Sequence, residues 1–413
     1  MMTGQRLPQA TGLEIRLQRA MALLYTIGLS ALAVLEPVMA MTVDSFNPVR
    51  QIVFLLSLIF LMLLSRPRLL LSRELAIYGS FAVYMFITLI WTTSPLDGMN
   101  TLIPAVNFLL LLLLFGSLIA FHDLRGVIGG ALGGFLLGAA AYTKVSGFPF
   151  SYPMGFSYNA IAGIYLLGLF ITLVFGWYAR LRLVPLVIAL ITMMLIAATT
   201  SIKFNLGIAI GAAAATLFYC GSVVRVLWRN VLLMCILGAA LVFAVTSNGG
   251  VLERVQRGFD RVSRGVEILQ RREDATGHTS FGDREDWKNQ GIKGWIRSPL
   301  FGNGVEAFRS DVGITSHSTP IDLLYNTGVI GLIAFYAVFM SIALRLLHAR
   351  GSDLGGLPPL IFAGLVCYAF ITLSGTMHYN SFMAVFFAVS GGLLRRNALH
   401  PLHAPKLATE SAS

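Results

Sequence analysis

Late in the chain runs Ser316-His317-Ser318-Thr319-Pro320-Ile321-Asp322-Leu323-Leu324-Tyr325-Asn326-Thr327-Gly328-Val329-Ile330-Gly331-Leu332. A histidine with an ordinary pKa near 6.5 can accept a proton at neutral pH, and a nearby carboxylate can orient it, so His317 and Asp322 are a candidate pair for general-base chemistry. Asp322 falls inside an apolar run, where an acid is costly and marks a functional position by default. A lone interfacial histidine is more often a hydrogen-bonded structural residue, and Tyr325 and Asn326 can pack or hydrogen-bond rather than react. Other chemistries find less support. Cys220, Cys235 and Cys367 sit in apolar segments with no CxxC pair and read as small core residues. Asp283, Glu285 and Asp286 crowd Arg284 too tightly for a metal site and suit a solvated helix start. The glycines from Gly129 to Gly138 belong to no GxxxxGK[ST] phosphate loop, and their spacing favours close helix approach.

These residues must be held by a membrane protein. Of 413 residues, 56% are hydrophobic and 12% charged, with mean hydropathy +0.76, whereas soluble domains carry about 25% charged residues. Apolar runs long enough to cross a bilayer recur at 20–41, 50–65, 74–91, 101–121, 126–142, 158–178, 182–200, 203–220, 225–245, 321–345, 357–374 and 377–393. The short second run and the minimal gap between the seventh and eighth leave eleven or twelve spans. Arg6, Arg16 and Arg19 precede the first run, which is too long for a signal peptide, so it is kept as a span. With a cytoplasmic N-terminus, sixteen Lys and Arg fall on the inner side and only Arg50, Lys144 and Lys203 in short outer loops. The net charge of +11 therefore reflects topology, and no nucleic-acid partner is expected.

The expected fold is an all-α polytopic membrane protein of about twelve transmembrane helices with one large, partly helical outer loop between spans nine and ten. Residues 1–245 carry spans one to nine, 246–320 the loop, 321–393 spans ten to twelve, and 394–413 a cytoplasmic tail expected to be disordered. The loop holds the remaining eleven cations and ten of nineteen acids. Within it, Leu252, Val255, Phe259, Val262, Val266 and Leu269 form one helical stripe among arginines, a basic amphipathic helix that suits either the membrane surface or the protein's own outer face. A Gly- and Ser-bearing stretch follows, then a second helical pattern from Asp283 through Trp287 and Trp295 to Ser298-Pro299 and the turn Phe301-Gly302-Asn303-Gly304.

The pattern H-S-x-x-I-D-x-L-Y-N-x-G-x-x-G-L resembles the signature of the bacterial O-antigen ligase and polymerase superfamily. So does Arg284-Glu285-Asp286-Trp287 leading into Pro299-Leu300-Phe301-Gly302-Asn303-Gly304-Val305-Glu306-Ala307-Phe308. Where the family has a Ser-Arg pair at an outer helix end, this chain has Ser201-Ile202-Lys203, which keeps the charge without the guanidinium fork. Ser318 stands where Asn usually follows the histidine. The resemblance implies a metal-independent, inverting glycosyltransferase without cofactor, in the bacterial inner membrane with both termini cytoplasmic and the active site periplasmic. The implied donor is a glycan on undecaprenyl diphosphate, and the implied acceptor is lipid A-core or another lipid-linked glycan; membrane lipids complete the partners. A lipid diphosphate leaving group needs fixed cations and the acceptor hydroxyl needs a base. Those roles go to Arg284 and Lys203, and to His317. Asp322, Arg309 and Arg297 are further substrate-binding candidates; Glu36 and His378 are weaker ones with structural roles to hand.

Within this chemistry a polymerase uses the same donor and another acceptor. Family polymerases carry an Arg-x10-Gly element in each of two outer loops; here Arg271 and Gly282 fit it once and the outer loop 143–158 has no arginine, which favours a ligase. Transfer to protein is a third outcome. A proton-coupled carrier, suggested by Glu36 and Asp322, places its site at the bilayer midplane and leaves the motif-bearing outer loop without a role.

Overall fold

The structure, a computed structural model, describes residues 20–34, 48–65, 69–146, 158–178, 183–199, 201–219, 282–349 and 357–399. The described residues are helical, with no strand among them: α1 (Ala20–Val34), α2 (Pro48–Ser65), α3 (Arg73–Thr88), α4 (Pro95–Phe121), α5 (Leu124–Ser146), α6 (Tyr158–Tyr178), α7 (Leu183–Ala198), α8 (Ile202–Phe218), α9 (Gly282–Trp295), α10 (Ala307–Val312), α11 (Thr319–His348), α12 (Leu357–Thr372) and α13 (Ser381–Leu399). Among them α4, α5, α6 and α11 are long and apolar enough to cross a bilayer, and α1, α7, α8 and α12 are shorter apolar helices. The expected ninth span, the basic amphipathic helix, Arg271 and Glu36 lie outside the described residues.

Two features suit this bundle to lipid. Large apolar side chains face outward, including Val83, Phe86 and Ile87 on α3 and Ile333, Met340 and Leu347 on α11. Since lipid removes the hydrophobic drive for helices to associate, small residues and polar locks must hold them together. On α5, Gly130, Gly134 and Gly138 form a stripe against α1; a Cβ at Gly134 would stand 2.3 Å from the Ile27 carbonyl oxygen. The Gly-rich run is thus a packing surface, as its spacing implies.

α3 and α11 lie side by side in opposite directions, with α4 and α13 packed beside them. At one end Glu74, 1% exposed, meets Arg345 of α11 at 2.9 Å and Arg395 of α13 at 4.0 Å. The 2.9 Å approach is a charge contact without hydrogen-bond alignment. Arg396 donates to the carbonyls of Ile119 and His122 at the end of α4. Cations that the charge pattern assigns to one side of the membrane therefore gather at one end of the bundle. At the other end, about 21 Å along α3 at 1.5 Å per residue, Thr88 meets the Gly turn before α10. Among the described residues, the candidate site residues lie at or near that end.

Two boundaries differ from the hydropathy pattern. The tenth apolar run is not one straight helix: α11 breaks at Gly328 (φ 66°, ψ −167°). The last two runs are separated by eight residues, 373–380, rather than two, and α13 continues to Leu399. Apart from the exposed Leu373, this connector is folded into the bundle, so its Met377 and Tyr379 read as membrane sequence.

If the Glu74 cluster is a structural lock, Glu74→Ala lowers unfolding stability in detergent by roughly 3 kcal/mol, the scale for breaking a buried ion pair. A thermal unfolding curve identical to that of the unaltered protein would contradict this.

Candidate active site

Breaking a helix orphans backbone groups, and in an apolar bundle each must find a partner. At Gly328 the carbonyls of Tyr325 and Asn326 lose their helical partners and accept instead from the amides of Asn303 (2.8 Å) and Gly304 (2.9 Å). The amides of Val329 and Ile330 donate to the carbonyls of Pro299 (3.0 Å) and Leu300 (3.3 Å). The Pro299 to Gly304 turn therefore fills the break from both sides. Only glycine serves here: at Gly302 (φ 72°) a Cβ would lie 2.5 Å from the Asn326 carbonyl, and at Gly328 it would lie 2.3 Å from the Leu300 oxygen.

α3 and its following loop clamp the turn from outside. Tyr84 donates to the carbonyls of Phe301 and Thr327, Trp91 Nε1 to Gly302 O, and Thr92 to Val305 O, while Thr88 Oγ1 accepts from Val305 N. α9 packs on α11 where Gly291 and Gly294 admit Ile321 and Tyr325, and Asn303 Nδ2 ties the end of α9 to Tyr325 O.

From the break a polar chain runs along the first, separate section of α11. Asn326 Oδ1 accepts from Phe308 N (2.8 Å) and its Nδ2 donates to Asp322 Oδ2 (3.2 Å). Asp322 Oδ1 accepts from Ser316 Oγ (3.2 Å), which shares its proton with Ser318 O (2.9 Å) and accepts from Ser318 N (3.3 Å). The turn cinched by Ser316 has His317 at its apex in the left-handed region, φ 52°. For a non-glycine residue this costs about 1–2 kcal/mol, which the surrounding bonds must offset. The imidazole, half-buried, packs 5.3 Å from the Trp287 ring. Asp322 thus orients His317 through the turn, by holding Ser316. Its other oxygen faces His378 Nε2 at 3.7 Å.

Lys203 reaches the same region. Opening α8, it donates from Nζ to Ser374 O (3.1 Å) and lies over the Phe204 ring. The adjacent Gly375 O accepts from Thr319 N and Oγ1, two residues after His317. Arg284 begins α9 one turn before Trp287, so the backbone sets it on the element that touches His317; its side chain lies outside the described residues. Arg309 stands on α10, half-buried, one turn after Glu306, whereas Arg297 is exposed in the turn leaving α9.

Glu306 escaped the sequence reading. It is buried, holds a left-handed φ of 61°, and accepts from Thr101 Oγ1 at 2.7 Å. Burial raises its carboxyl above the usual value, against the opposing effects of Thr101 and Arg309. Nothing but its place in the Gly turn signalled it. The 373–380 segment was equally silent apart from His378.

The arrangement offers an imidazole on a fixed turn, an ammonium at the loop bonded to the α11 N-terminus, and a helix, α9, that carries an arginine in its first turn. The family model described as O-antigen ligase matches residues 204–336, from the start of α8 into the second section of α11. No curated protein matches the chain. The matched stretch contains the His317 turn, the Gly turn and the break at Gly328 that joins them, and over these residues the chain is similar to the O-antigen ligase family.

Proposed function

We propose that the protein is a ligase-type glycosyltransferase that moves a glycan from undecaprenyl diphosphate to a sugar hydroxyl of lipid A-core at the periplasmic face of the inner membrane. His317 takes the proton from the acceptor hydroxyl as its oxygen attacks the anomeric carbon. The bond to the diphosphate breaks on the opposite face of the sugar, which inverts the configuration. The departing diphosphate carries growing negative charge, and Lys203 and Arg284 are the cations that meet it. Lys acts as a point charge and Arg as a planar fork, so the two are not equivalent.

The observation that carries the reading is the His317 turn. A strained backbone at a polar side chain, over-determined by Ser316, Asp322 and Asn326, is the kind of preorganisation catalytic groups require. Lys203, held at the loop that bonds Thr319, supports the assignment of a phosphate-bearing substrate beside it. The twelve-span topology with a periplasmic loop at 246–320 is part of the same proposal. A polymerase that joins lipid-linked repeats is the second reading; the missing arginine in the 143–158 loop favours the ligase. The absence of a second Arg-x10-Gly element leaves the acceptor as the point on which they differ.

His317→Ala is expected to abolish glycan transfer with unchanged protein level in the membrane, and near-normal transfer would remove the base assignment. For Lys203, Ala should lose most activity and Arg retain it; equal rates for all three residues would make it a bystander. Deleting the protein should leave lipid A-core without attached chains on a lipopolysaccharide gel while lipid-linked polymer accumulates. Core bearing a single repeat unit would point to the polymerase instead.

A further inference from the structure

The segment 373–380 is fixed along its length. Thr319 Oγ1 donates to Gly375 O (2.6 Å) and accepts from Met377 N (2.8 Å). His378 O accepts from Tyr78 OH (2.7 Å), its ring lies edge-on to Phe81 and Phe335, and its Nε2 faces Asp322. Asn380 Oδ1 accepts from Phe382 N at the start of α13 (3.0 Å). A segment this well anchored should have its polar side chains satisfied too. Instead Ser374 Oγ, Thr376 Oγ1 and His378 Nδ1 are buried without a hydrogen-bond partner. Among the described residues no other stretch of eight holds three such atoms. Buried polar groups are nearly always paired, so a concentration of unpaired ones calls for a missing partner.

The charge beside them indicates which partner. Lys203 Nζ rests on this segment, bonded to Ser374 O and so near Gly375 that a Cβ there would stand 2.6 Å from it. Thr319, which the segment grips, opens α11, whose N-terminal dipole end favours an anion. Two hydroxyl donors, a fixed ammonium and a helix N-terminus together suit phosphate oxygens. His378 faces Asp322 through Nε2 and accepts from Tyr78 at its carbonyl, so it serves to hold the segment.

We propose that 373–380 is the phosphate-binding wall of the site, with the Ser374 and Thr376 hydroxyls and the Lys203 ammonium taking oxygens of the donor's diphosphate. The inference rests on the lipid-diphosphate reading above and adds a chain segment outside the residues matched by the family model. It gives Gly375 a definite role. Any side chain there pushes the ammonium away, while its other neighbours, Ile371 O at 3.6 Å and Met377 Cγ at 3.7 Å, are at ordinary contact distance.

The test uses the full-length protein in nanodiscs, with geranylgeranyl diphosphate as a short isoprenoid diphosphate and inorganic pyrophosphate as a tail-free probe, and binding measured by calorimetry. Gly375→Ala and the double variant Ser374→Ala, Thr376→Val should each raise Kd for the isoprenoid diphosphate roughly tenfold or more, as expected for lost charge-assisted bonds. Their unfolding temperatures should stay near that of the unaltered protein. His317→Ala, inactive in transfer, should bind as the unaltered protein does. Pyrophosphate binding that weakens in the same variants supports recognition of the diphosphate itself. Unaltered affinity in both loop variants overturns the inference while leaving the transferase reading intact; an unaltered protein that binds neither probe overturns both.

Discussion

A helix that crosses a bilayer cannot stop halfway unless something else satisfies its backbone. In this protein α11 stops at Gly328, and the Pro299 to Gly304 turn supplies four hydrogen bonds, two given and two taken, to the groups the break exposes. The consequence is positional. The section 319–327 is released from the direction of the spanning helix and locked instead to the loop that carries α9 and α10. Both glycines of the pairing are sterically obligatory, and α3 with its following loop seals the turn through Tyr84, Trp91 and Thr92.

From that anchor the polar side chains descend in order. Phe308 N fixes Asn326, Asn326 fixes Asp322, and Asp322 fixes Ser316, whose hydroxyl closes the turn around His317. Each link is buried, so each is expensive to leave unmade and strong when made. The strain at His317 is therefore an expense met by the network, and it projects the ring toward Trp287 on α9. On the other flank Thr319 couples the same turn to 373–380 and so to Lys203 on α8. Three parts of the chain far apart in sequence thus share one small region through the first turn of α11. The Glu74, Arg345 and Arg395 lock holds the opposite end of α3 and α11, which leaves the geometry at the site end to these local bonds.

Much of this was readable from residue types. Charge asymmetry and apolar runs indicated a polytopic helical protein, and the Gly129 to Gly138 spacing indicated a close helix contact, because both depend on local composition. The His317 stretch and the Gly turn were recognised as motifs, yet the backbone pairing between them was not. A hydropathy run averages over Gly328 and cannot show a break that is repaired by a turn some 25 residues upstream. Segment 373–380 was hidden for a related reason: it is packed inside the bundle, so its apolar residues resemble membrane span and its hydroxyls look incidental. Glu306 was missed because a left-handed φ leaves no trace in residue type, and glutamate is an unusual occupant of that region.

The claim at the centre is that the break and turn set His317 for catalysis, and Gly328→Ala tests it most directly. The added Cβ meets the Leu300 backbone, so it displaces the turn while leaving every proposed catalytic side chain in the sequence. Transfer of glycan from a lipid-linked donor should fall to background in membranes that contain the protein at its normal level. Transfer at the rate of the unaltered protein would contradict the account.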